Sequence, residues 1–161
     1  VTSKTSSPAE KSKSVELLSV HVGGQDFAID IMAVREIRGW VASTALPYAP
    51  SYIKGMINLR GVVMAIVDLA DRLGLPTKEP GSASVVVVVE VAGRLFGLLV
   101  DAVNDIITIT DDMRQATPDT GNSASKSAVE GLVTLDTRIV SIVSISAILP
   151  EMTDLGMSQA A

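Results

Sequence analysis

The sequence predicts an all-β protein built from two small barrels of one ancestry. Three observations lead there: a core that branched aliphatic residues must supply, short apolar runs punctuated by glycine turns, and an internal duplication. Hydrophobic residues make up 47% of the 161 residues but aromatics only 3%. The core therefore has to come from Val, Ile and Leu, and the β-branched members of that set favour strands.

The first run, "VELLSVHVGGQDFAIDI" (15–31), reads as two strands around a turn. Val20 and Val22 alternate with Ser19 and His21, a period of two. Gly23-Gly24 can take the positive φ angles of a tight hairpin. "MAVREIRG" follows as a short strand, and "WVASTALPYAPSY", with its two prolines, reads as a loop. "IKGMINL" and "VVMAIVDL" form a second strand pair with its reversal at Arg60-Gly61. "LADRLGL" suits one turn of helix, stopped by Gly74 and Pro76. "PTKEPGSAS" is a polar break.

The pattern then repeats. Residues 17–37 align without a gap on 86–106, pairing Val20 with Val89, Gly24 with Gly93, Phe27 with Phe96 and Ile37 with Ile106. Residues 55–73 align without a gap on 131–149, pairing Gly55 with Gly131, Leu59 with Leu135, Ile66 with Ile142 and Leu73 with Leu149. Such a repeat is an architectural signal. Each copy, about 15–75 and about 84–149, supplies roughly five short strands, which suit a small barrel without exposed edges. A unit of that size is marginal for a core of its own, so a shared apolar seam between the barrels is expected. Residues 1–14 are polar and small and read as a disordered tail; 150–161 form a C-terminal tail. The polar start and short end favour a free-standing protein.

Composition also excludes functions. The net charge is −5, and neither a basic face nor stacking aromatics are on offer for nucleic acid. The absence of Cys removes disulfides, thiolate metal sites and thiol nucleophiles, and is compatible with a reducing cytoplasm. The most apolar run, "VVVVV" at 85–89, ends at Glu90, far short of the roughly 18 residues a membrane helix needs. The N-terminus has no apolar stretch of the signal-peptide kind. His21, the single histidine, alternates with valines and reads as an outer-face strand residue without a nucleophile to serve. The carboxylates Asp26, Asp30, Asp101, Asp105, Asp111 and Asp112 are scattered and lack the dense spacing of a metal loop. "GGQDFAID" lacks the Lys and helix of a phosphate loop. No catalytic residue, metal or cofactor is expected, and binding remains. Trp40, Tyr48, Tyr52, Glu36, Arg38 and Arg60 are surface candidates; Trp40 reads equally as a contact anchor or as a ring covering a barrel end. Arg60 stands inside the apolar stretch "GMINLRGVVMAIVDL", where the second copy has Asp136-Thr137, so the position is a turn that tolerates charge.

In order and spacing, "IDIMAVREIRGW", "YIKGMINLRGVVMAIVDLADRLGL", "GRLFGLLVDAVNDIITI" and "VEGLVTLDTRIVSIVSISAIL" resemble the CheW family of bacterial chemotaxis coupling proteins, from about Val15 to Leu149. The pairing of "IKGxINLRG" with "IVDL" is specific to that family. The resemblance implies two five-stranded SH3-like barrels, which can exchange a strand between sequence copies. It also implies a cytoplasmic, non-catalytic adaptor at receptor arrays under the inner membrane. Its partners would be the cytoplasmic tip of chemoreceptors and the regulatory domain of the histidine kinase CheA, with no nucleic acid and no membrane insertion. The other reading is a CheW-like regulatory domain of a larger kinase or fusion protein.

By the same resemblance Val34, Glu36, Arg60, Val85 and Ile106 match receptor-binding positions in a groove between the barrels. Gly55, Asn58 and Gly61 match the motif's turn and packing positions. Arg114 falls in the stretch similar to the kinase contact, through an alignment that needs a gap. Two departures stand out: Ala65 where relatives often have Pro, and a polar, small connection at 117–128 where relatives often carry an aromatic.

Overall fold

The computed structural model describes residues 14–115 and 128–149, apart from 42, 46, 48, 78 and 136. The tail through residue 13, the connection at 117–127, Tyr48, Asp136 and the tail from 150 lie outside the described residues.

Three hairpins are built on one turn geometry. Strands β1 (Ser14–Val22) and β2 (Gln25–Asp30) reverse through Gly23 and Gly24, with φ values of 57° and 83°. Strands β4 (Ile53–Leu59) and β5 (Val62–Asp68) reverse through Arg60 and Gly61, at 53° and 88°. Strands β6 (Val85–Val91) and β7 (Arg94–Val100) reverse through Ala92 and Gly93, at 54° and 79°. Two consecutive left-handed residues make the two-residue turn whose twist matches that of the flanking strands. Arg60 and Ala92 hold that conformation with a Cβ, at a cost of about 1 kcal/mol each.

A 3-10 turn at Ile31–Ala33, capped by the Asp30 carboxylate accepting from the Met32 N–H, delivers the chain into β3 (Val34–Gly39). The second copy continues through β8 (Ala102–Thr110), β9 (Arg114–Gln115), β10 (Val129–Leu135) and β11 (Arg138–Val143). Single-turn helices follow β5 and β11: α1 (Leu69–Arg72) and α2 (Ile145–Ile148). The first is the helical turn expected from "LADRLGL".

The strands form two sheets, ordered β8-β1-β2-β11-β10-β9 and β3-β6-β7-β5-β4. Each sheet takes its first-listed hairpin from one sequence copy and the remaining strands from the other. The joins between copies are the antiparallel pairs β1–β8 and β3–β6 and the parallel pairs β2–β11 and β5–β7. The duplication is visible in single hydrogen bonds: Asp68 N–H donates to Tyr52 O at 2.6 Å, and the aligned Ser144 N–H donates to Ala128 O at 2.8 Å. Both copies also carry a bulge at the aligned glycine, before Gly55 and before Gly131. One sheet has six strands where five were expected. The sixth, β9, sets Gln115 and Arg114 opposite Leu132 and Val133; in the first copy the same place holds only a single bridge, Thr44 to Met56.

Alternation along the strands sends each side chain to one of three cores. Met64, Ile66, Val86, Val88 and Leu99 fill the second barrel. Leu17, Ala28, Ile107, Val140 and Ile142 fill the first. The opposite faces of the same strands, with Val20, Phe27, Ile29, Val67, Val87, Val89 and Leu98, meet in a shared core that also takes both short helices. This explains "VVVVV": β6 is buried on both faces, and such strands read as continuous apolar runs.

Gly55 is where the fold tolerates least. Its φ is 150°, and an added Cβ would come 2.5 Å from Ser43 Oγ and 2.6 Å from Thr44 O. Gly61, at 88°, faces open space. Gly55→Ala should therefore lose on the order of 3 kcal/mol and Gly61→Ala only about 1 kcal/mol. Urea denaturation of both variants checks the order; equal midpoints would refute the packing role given to Gly55.

Candidate partner-binding site

In the second sheet β3 and the β4–β5 hairpin occupy opposite edges. Yet Arg60, at the hairpin tip, donates from Nη2 to Glu36 Oε1 on β3 at 2.6 Å. The sheet has rolled until its edges face each other, and this ion pair bridges them. Glu36 also accepts from Arg38 Nη1 through Oε2, at 3.0 Å. One carboxylate thus sits between two guanidiniums. The Arg60 hydrogen bond, then that of Arg38, holds the Glu36 carboxyl below its usual range, and Glu36 in turn raises Arg60. The Arg60 side chain is 68% exposed, so water screens the pair and it adds little to stability. What it provides is geometry: a fixed guanidinium at the rim with net positive charge from the three groups.

The turn beneath Arg60 is preshaped. Asn58 Oδ1 accepts from the Gly61 N–H at 2.8 Å, satisfying a donor that the two-residue reversal leaves open. Asn58 and Gly61 therefore present Arg60, while Gly55 at the other end of β4 lets the Ser43–Thr44 segment lie against the strand. Next along β3, Arg35 Nε donates to Glu90 Oε1 on β6 at 2.6 Å, a cross-strand pair that sequence reading missed.

Val34 and Val85 are partly buried and pack against the shared core. They lie at opposite ends of the β3–β6 pair, where Val34 faces Val89 and Gly39 faces Val85. Ile106 is set apart: it lies on β8 in the other sheet, opposite Leu18, and is 54% exposed. The expected receptor set thus falls four to one across the two barrels. Ile37, which the duplication aligns with Ile106, is also exposed, at 48%; that alignment was the signal that could have found it. Arg114 is exposed on β9, at the edge of the first sheet farthest from β8.

The remaining candidates resolve individually. Trp40 packs against the second barrel's core and donates its backbone N–H to Ser84 O at 3.2 Å; it covers the barrel. The Tyr52 ring stacks under the Arg72 guanidinium at 4.3 Å and packs on the shared core. His21 Nδ1 lies 3.1 Å from Asp26 Oδ1 on the neighbouring strand. Its neighbour Ser19 is buried and accepts from Asn104 Nδ2 at 3.3 Å, not from the imidazole. Among the described residues no three His, Cys, Asp or Glu come together, and no helix is long and apolar enough to cross a membrane.

With the rolled sheets and charged rim in view, relationship to other proteins is direct. The CheW-like domain family matches residues 16–152. The chain belongs to the CheW family. It is 44% identical over 135 residues to the chemotaxis protein CheW of Rhizobium meliloti, covering 84% of this chain and 87% of that one. To the chemotaxis protein CheW of Bacillus subtilis it is 30% identical, over 88% of this chain and 90% of the relative. Among solved structures it is similar to the scaffolding protein TtCheW from Thermoanaerobacter tengcongensis, with a TM-score of 0.74 and 28% identity, covering 81% of this chain and 88% of that one. The two SH3-like barrels are thus those of a chemotaxis scaffold family.

At the base of the β4–β5 hairpin, Asp68 caps α1 by accepting from the Ala70 N–H at 3.1 Å. Lys54 Nζ lies 3.5 Å from its other oxygen. Burial pushes the Asp68 carboxyl up, and the opposing pull of Lys54 does not overcome it. Above the ordinary carboxylate range, then, the folded chain still holds a proton that the unfolded chain has released. Stability from this group is present at low pH and is lost as pH rises through the raised value. Asn can still cap the helix, so Asp68→Asn should gain stability relative to the parent as pH rises from about 4 to about 7. Urea midpoints across that range check it; parallel pH curves for the two proteins would contradict the burial effect.

Proposed function

We propose that this CheW-family chain is a non-catalytic chemotaxis adaptor. It holds the cytoplasmic tip of chemoreceptors and the regulatory domain of the histidine kinase CheA in one cytoplasmic array beneath the inner membrane. The observation that carries the reading is the rim charge: Arg60, fixed by Glu36, is held exposed at the rim of the second barrel, and Val34 and Val85 are the apolar residues assigned to the same contact. A receptor tip is a helical hairpin, and an apolar strip with an oriented charge is what recognises such a helix face. Ile106 adds apolar contact from the other barrel. The kinase regulatory domain docks on a barrel end, with Arg114 on its side of the molecule.

Two sites on one chain make the adaptor act by effective concentration: once one partner is held, the second encounter becomes intramolecular. Preference for one kinase conformation adds to this by shifting its population.

The test is a pull-down with a receptor-tip fragment and the kinase regulatory domain, separately and together; binding to neither would overturn the proposal. Arg60→Glu should weaken the receptor-tip fragment by roughly tenfold or more and leave the kinase domain's affinity and the urea midpoint unchanged. The double exchange Glu36→Arg with Arg60→Glu restores a pair within the chain. If it also restores receptor affinity, Arg60 serves the barrel rather than the partner.

A further inference from the structure

The short helices of the two copies meet in the shared core, and the duplication is broken there by a polar fastener. In the first copy Arg72, at the end of α1, stacks on Tyr52 at 4.3 Å. Its guanidinium donates from Nε to Ile148 O at 3.0 Å and from Nη2 to Ala147 O at 3.3 Å. These carbonyls end α2, where a helix leaves its last acceptors without internal partners and carries partial negative charge. Now α1 follows β5 in the second sheet and α2 follows β11 in the first. The contact therefore runs from one barrel's helix to the other's. The alignment places Ile148 opposite Arg72, and the equivalent hydrogen bonds place Ala128 opposite Tyr52. Neither can return the interaction: Ile148 has no side-chain donor and Ala128 no ring. Around it Leu69, Ala70, Leu73, Ile145, Ile148 and Leu149 make apolar packing, which is non-directional. A planar guanidinium held by a ring and two carbonyls is directional.

We propose that Arg72 is the positioning residue that fixes the angle between the two barrels, and through it how Val34 and Val85 on one barrel are set relative to Ile106 on the other. Its link to partner binding rests on the adaptor function proposed above. A partner that spans both barrels depends on that angle; one that docks on a single barrel end does not. Loss of Arg72 therefore weakens the receptor tip selectively.

The chain has no Cys, so Val63→Cys and Ile139→Cys create the only labelling sites. They are symmetry-related positions on β5 and β11, 59% and 63% exposed. Electron-resonance distance measurements between nitroxides at these sites should give one narrow distribution in the parent, a broader one in Arg72→Met, and an intermediate one in Arg72→Lys, which keeps a donor without the planar fork. Arg72→Met should bind the receptor-tip fragment roughly tenfold more weakly while holding the kinase regulatory domain as the parent does. An unchanged distance width in Arg72→Met overturns the proposal, as does a proportional loss of both partners, which marks a general effect on folding. Should the parent bind neither fragment, the adaptor reading fails, and the distance distributions still decide the role of Arg72 between the barrels.

Discussion

The structure depends on a constraint of size. Among the described residues each barrel encloses seven buried apolar side chains of its own, whereas the shared core holds twenty-one. Neither barrel could repay the loss of chain entropy alone. The shared core does so because β1, β2, β4, β5, β6, β7 and β11 each contribute buried apolar residues both to a barrel and to the seam. Crossing of the copies follows from the same need. Once β1 and β2 pair with β8 and β11, and β6 and β7 pair with β3 and β5, backbone hydrogen bonds tie the two sequence copies together within each sheet, while packing joins the sheets across the seam.

A scaffold of this kind can be rigid in its middle and variable at its rims. The edges of the second barrel are joined by unlike charges, Arg60 and Glu36. The duplication puts Asp136 and Asp105 at the corresponding sequence positions, two like charges that can form no such bridge. Two barrels of common ancestry have thus come to present chemically different rims. That difference gives a nearly symmetric molecule two chemically distinct surfaces, the condition for discriminating between ligands.

Much of this was legible in the residues. Period-two alternation, glycine turns and the repeat gave the strands, the hairpin at Arg60-Gly61, the helical turn at Leu69–Arg72 and the shared seam. The family motif pointed to the stretch that the structure makes into a rim. Other features left no local signal. Which copy's hairpin joins which sheet cannot be read from alternation, because strands buried on both faces look alike in either partnership. The edge-to-edge contact of Glu36 with Arg60 depends on curling of the whole sheet. Strand β9 is two residues long and polar, with nothing to mark it before Gln115 is seen opposite Leu132. Arg72 in "LADRLGL" carries no local mark of its role; its acceptors are the carbonyls of Ala147 and Ile148, which any sequence would possess.

The crossing of the copies also dictates an order of events as the chain is made. The β1–β2 hairpin is synthesised first, but its sheet neighbours are β8 and β11, and Asp26 waits for Val140. The second sheet, whose strands run from β3 to β7 in sequence, is complete earlier. Contacts of such high sequence separation form slowly. The first hairpin therefore has both edges unpaired until β8 and β11 are made, and its sheet closes only with β11.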